Sequence, residues 1–380
     1  MLLLSRSPYS ENLLAQKQSL LSELQSFGVQ LETDTGAPSR SGGAGPTDHK
    51  ALIVLGTTIM VPVHTLTAAA SPFHLDRTDS QGFAKLYHHG EPIARVQFPP
   101  EPRFYQLKTS DGIPYRKIAT LHSTNVLATT ILQTCIRYGN SHTKCQFCAI
   151  GESLKSGTTI ARKTPAQLAE VAAAAQRLDG IQNVVLTTGT PPTPDRGAAV
   201  LAESAAAIKA ATGLPIQAQC EPPADFSWFQ KLKDTGVDSL GMHLEAWDET
   251  VRQKIMPGKA EVPVTTYLKA FQAAVAVFGR GQVSTYLLAG LGDTAQGLIN
   301  ASRQLIELGV YPFVVPFVPV TGTQLANHPA PDSSFMREVL PPIGDMLTRA
   351  GMTSETVKAG CAKCGACSSL SSFENSCHSK

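Results

Sequence analysis

From residue 126 onward, apolar and polar positions fall into a regular alternation. Runs rich in β-branched and other apolar residues at 126–132, 183–188, 214–219, 237–243, 282–289 and 310–318 predict strands. Between and after them, 165–178, 198–211, 226–235, 263–278, 295–308 and 333–350 repeat apolar positions at helical spacing. Six strand–helix units in series imply an α/β fold whose parallel sheet curls into a partial (βα)6 TIM-like barrel. In such folds the loops after the strand C-terminal ends carry the site.

Upstream the pattern is different. Residues 11–27 space leucines at helical intervals, and 36–45 form a Gly/Ser/Pro-rich loop with no strand–glycine–helix context for binding phosphate. The run 51–63 predicts a hairpin or two short strands, and 92–98 another strand. His88-His89 offers at most one metal ligand, because neighbouring residues on a strand face opposite ways. The expected organisation is an accessory α+β domain over 1–120, the barrel over 121–350 and a Cys-rich tail over 351–380.

Composition changes this picture little. At 42% hydrophobic and 16% charged, the 380-residue chain has ample material for a large core. A net charge of +2 gives no reason to expect nucleic acid as a bulk partner. No apolar run approaches membrane-spanning length, and Met-Leu-Leu-Leu-Ser-Arg has neither the basic region nor the cleavage pattern of a signal peptide. Eight cysteines in such a chain are too sparse for a disulfide framework, which points to a reducing cytoplasm.

The cysteines carry the chemistry. Cys135, Cys145 and Cys148 follow the first barrel strand, with nine and then two residues between them. Three thiolates on one loop can hold three irons of a cubane cluster, leaving the fourth iron open to a substrate or cofactor. The same thiols with His142 would also make a four-ligand zinc knuckle. The later strands end in Thr188-Gly189-Thr190, Gln217-Ala-Gln219-Cys220-Glu221, His243-Leu-Glu245, Gly290-Leu-Gly292-Asp293 and Thr321-Gly322-Thr323, a polar crown above apolar strands. Each has a plainer reading as well. Gly290 to Asp293 reads as a turn and helix cap, Glu245 as a cap or surface partner of Arg252, Cys220 as a small hydrophobe, and Arg252, Lys254 and Lys259 as a solvated face. At the C-terminal end, Cys361, Cys364 and Cys367 are spaced by two and two residues, with Cys377 ten positions on. That set suits a second [4Fe–4S] cluster or a zinc site, and its polar, Ser-rich surroundings require a metal or a docking surface to order them.

Residues 120–325 resemble the radical S-adenosylmethionine (SAM) superfamily, in particular its biotin synthase, lipoyl synthase and hydrogenase-maturase branch. More narrowly, the chain is similar to the radical SAM proteins of bacterial nitrilase-linked gene clusters. The usual cluster spacing in the superfamily is three residues and then two; the first gap of nine here is that of the Elongator-type branch. The resemblance implies that Cys135, Cys145 and Cys148 hold a [4Fe–4S] cluster whose open iron is chelated by SAM. Phe147 corresponds to the aromatic position near the adenine. Thr188, Gly189 and Thr190 match the turn that meets the SAM amino group, without that motif's second glycine and glutamate. Glu245 matches an acidic position on the ribose hydroxyls, Gly290 and Asp293 lie near the nucleoside, and Arg252 is matched to the SAM carboxylate. The implied activity is reductive cleavage of SAM to a 5′-deoxyadenosyl radical that abstracts hydrogen from a small-molecule substrate. A flavodoxin or ferredoxin-type protein would donate the electron. Sulfur insertion using the C-terminal cluster, and a zinc or Fe–S scaffold without turnover, are the alternatives. No catalytic side chain, substrate or oligomeric state follows from the sequence.

Overall fold

The computed structural model describes residues 13–31 and 49–374. The Gly-rich 36–45 stretch and Cys377 lie outside the described residues. Two sheets organise the rest. The first has six strands, β1 (Gln30–Leu31), β2 (His49–Val54), β3 (Thr57–Pro62), β4 (Phe73–Leu75), β5 (Phe83–His88) and β6 (Glu91–Gln97), in the order β1-β4-β5-β6-β2-β3. β2 and β3 form the expected antiparallel hairpin around Leu55-Gly56. The helix Leu13–Phe27 covers one side, and Leu21, Leu24, Leu52, Val54, Phe73 and Leu86 close a core of their own.

The second sheet has seven strands. They are β7 (Thr120–His122), β8 (Val126–Thr130), β9 (Asn183–Thr187), β10 (Ile216–Gln219), β11 (Ser239–Gly241), β12 (Val283–Ala289) and β13 (Val310–Pro316). Their spatial order is the sequence order; β8 to β13 run parallel, while β7 pairs antiparallel with β8. β9, β10 and β13 are buried almost throughout, as a parallel sheet covered on both faces requires. The helices Pro165–Asp179, Ala198–Thr212, Trp228–Asp234, Val264–Phe278, Ala295–Leu308 and Ser333–Arg349 fall where the periodicity predicts. Thr164 starts the first of them with a capping box to Gln167, and Gly180 ends it in the left-handed region. The predicted barrel strands overrun by a residue or more, at 126–132, 183–188 and 310–318 because pairing stops where the chain turns into the site loops. A short helix missing from the prediction, Glu249–Ile255, is capped by Asp248.

The tail is docked inside the fold. Lys358 N–H donates to Gln282 Oε1 just before β12, Gly360 N–H to Asn183 Oδ1 at the start of β9, and Cys361 N–H to Gln217 in β10. The tail therefore enters from the strand N-terminal ends, and Ala362, Leu370 and Phe373 join the barrel core. The N-terminal region holds it from the other side: Met60 N–H and Gln25 Nε2 both donate to Ala366 O, at 2.7 and 3.0 Å. Its last described residue, Glu374, is buried and accepts from the Tyr311 hydroxyl and from Ser354.

Candidate functional site: a thiol-lined cavity

One cavity of about 1550 Å³ is lined by the C-terminal halves of the barrel strands and by residues of the N-terminal sheet. The Cys135–Cys148 loop reaches it in two steps. Gly189 N–H donates to Leu132 O and Ile136 N–H to Thr190 O, which ties the loop's start to the turn after β9. A Cβ at Gly189 would stand 2.1 Å from Thr134 O, so only glycine allows this approach. The nine intervening residues then make a turn around Asn140 and return, with Gln146 N–H donating to Ile255 O. Cys135, Cys145, Phe147 and Cys148 all line the cavity. Burial pushes the Cys145 and Cys148 thiols up to about 12 and about 11. Thiols this buried are neutral until a metal displaces their protons.

Two buried ion pairs flank the loop. Arg137, beside the first cysteine, donates to Gly258 O at 2.6 Å and pairs with Glu221, whose Oε1 also accepts from Thr190 Oγ1 at 2.9 Å. Glu221 Oε2 has no partner. Glu245 pairs with Lys259 at 3.1 Å from a left-handed backbone conformation, φ +67°, which few non-glycine residues adopt. Burial alone would pull the Lys259 ammonium down, but Glu245 and other acidic groups outweigh it and hold it above the ordinary range. Between the pairs, burial pushes His243 down to about 4. Its Nδ1 accepts the Tyr286 backbone N–H at 3.2 Å, so the neutral ring carries its proton on Nε2, which is buried without a partner.

Of the residues singled out from sequence, Cys135, Cys145, Phe147, Cys148, Thr188, Gly189, Thr190, Glu245, Cys361 and Cys367 line this cavity, and Cys364 lies beside its two neighbours. Three others do not. Arg252 is fully buried, with its guanidinium donating to Leu244 O at 2.6 Å and Val262 O at 2.9 Å, so it has no reach toward a SAM carboxylate. Asp293 accepts from Trp247 N–H and Asp248 N–H and works as a loop brace. Gly290 packs on Pro331. His142 is exposed and stands outside the cavity wall, away from the role of a fourth zinc ligand. Sequence reasoning did not single out Arg137 or Tyr286 and gave Glu221, His243 and Lys259 no role of their own in the site. His243 and Glu221 were visible at strand ends, whereas Lys259 was hidden in a basic run that reads as surface.

Among the described residues no three His, Cys, Asp or Glu side chains gather where they could hold a single metal ion. A cubane spreads its thiolates over separate irons, so three cysteines of one loop at a cavity wall suit it better than a closed zinc site. The unpartnered Glu221 Oε2 and His243 Nε2–H are the polar contacts a bound cofactor would complete.

Fold and site together define an α/β half-barrel with a thiol-lined mouth. Residues 138–304 match the radical SAM superfamily model, beginning just after Cys135 and including Cys145 and Cys148. Residues 138–304 are therefore similar to that superfamily, whose members bind a [4Fe–4S] cluster and SAM. Over 138 residues it is 30% identical to bacteriochlorophyllide c C-7(1)-hydroxylase of Chlorobaculum limnaeum. That alignment spans 36% of this chain and 34% of the relative, so about a third of the relative's length is matched. Among solved structures, methylornithine synthase is similar with 18% identity and a TM-score of 0.45, over 63% of this chain and 71% of that one. A radical SAM methyltransferase from Sphaerobacter thermophilus gives 15% identity and a TM-score of 0.47, over 74% and 75%. Among the described residues no helix is long and apolar enough to cross a membrane.

Proposed function

We propose that this protein is a radical SAM enzyme acting on a small molecule, with Cys135, Cys145 and Cys148 as the ligands of its [4Fe–4S] cluster. When bound, cluster and SAM supply a 5′-deoxyadenosyl radical, which abstracts a substrate hydrogen in a rearrangement or fragmentation. The observation that carries this reading is the convergence of three cavity-lining thiols, two unpartnered polar atoms and a cavity of about 1550 Å³ on one set of strand ends. Such a volume exceeds the roughly 300–1,000 Å³ of a single-ligand pocket, leaving room for cofactor and substrate together. Glu245, held by Lys259, accepts ribose hydroxyls. Glu221 Oε2 accepts from the amino group beside Thr188–Thr190, and Phe147 stacks near the adenine. His243 Nε2–H donates to the substrate or to SAM. The N-terminal sheet, part of an accessory domain over 1–120, closes the cavity over the barrel of 121–350 and excludes water.

Cys361, Cys364 and Cys367 of the 351–380 tail hold a second cluster in this reading, with Cys377 a further candidate ligand. The expected setting is the cytoplasm, with a flavodoxin or ferredoxin-type electron donor and no nucleic acid. The narrower kinship with the biotin and lipoyl synthase branch and with nitrilase-linked proteins belongs to the same reading, supported by the strand-end residues. The position of Cys361 and Cys367 in the same cavity favours a second possibility, sulfur insertion with the tail as donor. Anaerobic reconstitution with iron and sulfide, followed by dithionite and SAM, tests the first reading. Formation of 5′-deoxyadenosine is expected, and its absence would leave a metal-binding scaffold. Sulfur in the product would select the second possibility.

A further inference from the structure

The second thiol set is surrounded differently from the first. At the first set, Cys148 accepts from the Ile150 backbone, and the Lys259 and Lys144 ammonium groups lie near Cys145 and Cys148. At the tail, Gln219 Nε2 stands 3.2 Å from Cys361 Sγ, and His122 Nε2 stands 3.4 Å from Cys367 Sγ. Ser123 lies beside Cys364, and the Tyr286 hydroxyl beside Cys361 and Cys367. These groups come from β10, the end of β7 with the turn after it, and β12, so the barrel wall itself addresses the tail sulfurs.

The direction of the Gln219 contact is fixed by its neighbours. Cys361 N–H, which can only donate, points at Gln217 at 3.1 Å, so the Gln217 atom there must be its oxygen. The Gln217 amide nitrogen then donates to Ser284 Oγ at 3.0 Å. The same Gln217 oxygen lies 2.7 Å from the Gln219 amide, which must present its nitrogen there, because two carbonyl oxygens would repel. That nitrogen's second hydrogen is the one aimed at Cys361 Sγ. Gln217 is fully buried and Gln219 more than nine-tenths buried. Gly360 permits the arrangement: at φ +103°, a Cβ there would stand 2.1 Å from the Gln217 amide carbon. A network polarised this way offers the sulfur a donor, which suits a metal-bound thiolate better than a neutral thiol.

We propose that Gln219 is a positioning residue for the tail site: its amide, oriented through Gln217 by the tail's own backbone, donates to the cluster-bound sulfur of Cys361 and raises that cluster's reduction potential. The reason is electrostatic, since a donor to sulfur favours the more negative, reduced cluster. The inference rests on the second-cluster reading above. The test is an EPR-monitored redox titration, with iron counts, of the anaerobically purified full chain as wild type, Gln219→Met and Gln219→Glu. Methionine keeps the buried volume and removes the donor; glutamate replaces the donor with an acceptor. About eight irons per chain are expected in wild type and Gln219→Met. Gln219→Met should cut the reduced-to-oxidised ratio of the tail cluster about tenfold at fixed potential, ~59 mV for a one-electron couple, with the other cluster unmoved. Gln219→Glu should shift it further the same way. Two clusters with an unmoved tail potential in both variants would overturn the role of Gln219 alone. About four irons in wild type, unchanged by Cys361→Ala, would remove the second cluster and the inference with it.

Discussion

The two thiol sets share one cavity but are built by opposite means. Cys135, Cys145 and Cys148 sit on a loop fastened by backbone hydrogen bonds and by the Arg137–Glu221 pair. Cys361, Cys364 and Cys367 sit on a tail threaded into the barrel, where side chains of β10, β12, the end of β7 and the turn after it face the sulfurs. A loop site of the first kind leaves one face free, which is what ligand exchange at an open iron requires. An embedded site of the second kind holds its group in place and adjusts its electronics. The contrast supports the proposed division, with chemistry at the first set and support at the second.

The sharpest break of that contrast comes from removing one ligand at each site. Cys148→Ala should abolish 5′-deoxyadenosine formation, a loss of at least about 10³-fold, since the one-electron step belongs to the cluster. Cys364→Ala should retain a measurable fraction of SAM cleavage while losing coupling to product. Chromatographic assay of 5′-deoxyadenosine and product for both variants decides the point. Equal loss in the two would mean that the tail is not auxiliary.

A finer cut uses one glycine per site. Gly360→Ala places a Cβ in the Gln217 amide at a backbone conformation that is essentially restricted to glycine. Strain and overpacking together should cost about 4 kcal/mol in denaturant unfolding. Gly189→Ala drives into Thr134 O, next to Cys135, and should cost about 3 kcal/mol by overpacking alone. Iron counts and EPR should show the first variant losing the tail cluster and the second losing the loop cluster. Loss of the same cluster in both would show that the sites are not independently built.

How much of this was legible beforehand follows from what each signal measures. The helices matched closely because their apolar period reports burial against the sheet, and the strand order followed because right-handed crossovers leave few alternatives. Arg252, Gly290 and Asp293 misled for a shared reason: their types suit a ligand, yet here they satisfy backbone groups or pack a turn. Lys259 misled in the other direction, since its partner Glu245 is fourteen positions away and reaches it only after the Glu249–Ile255 helix folds back. The tail's cysteine spacing was legible, but its donors were not. Gln219, Tyr286 and His122 come together only once the tail has entered the barrel.

The smallest effect concerns the wall between the two sets. Burial holds His243 near 4, against 6.5 when exposed, while Glu245 pulls upward and Lys259 downward. The unfolded chain therefore binds a proton below pH 6.5 that the folded chain refuses until about pH 4. The stabilisation from this group is complete above 6.5 and is lost as pH falls toward 4. At one unit below 6.5 the loss is about 1.4 kcal/mol from His243. His49, held near 3 by burial and by the proximity of His122, loses the same amount there, and its contribution keeps falling below pH 4. Urea unfolding of the metal-free protein at pH 7.5 and 5.5 measures the sum. Gln in place of His243 should reduce the measured loss by about 1.4 kcal/mol, and a loss unchanged by that variant would mean the ring is not a buried neutral base in the cavity wall.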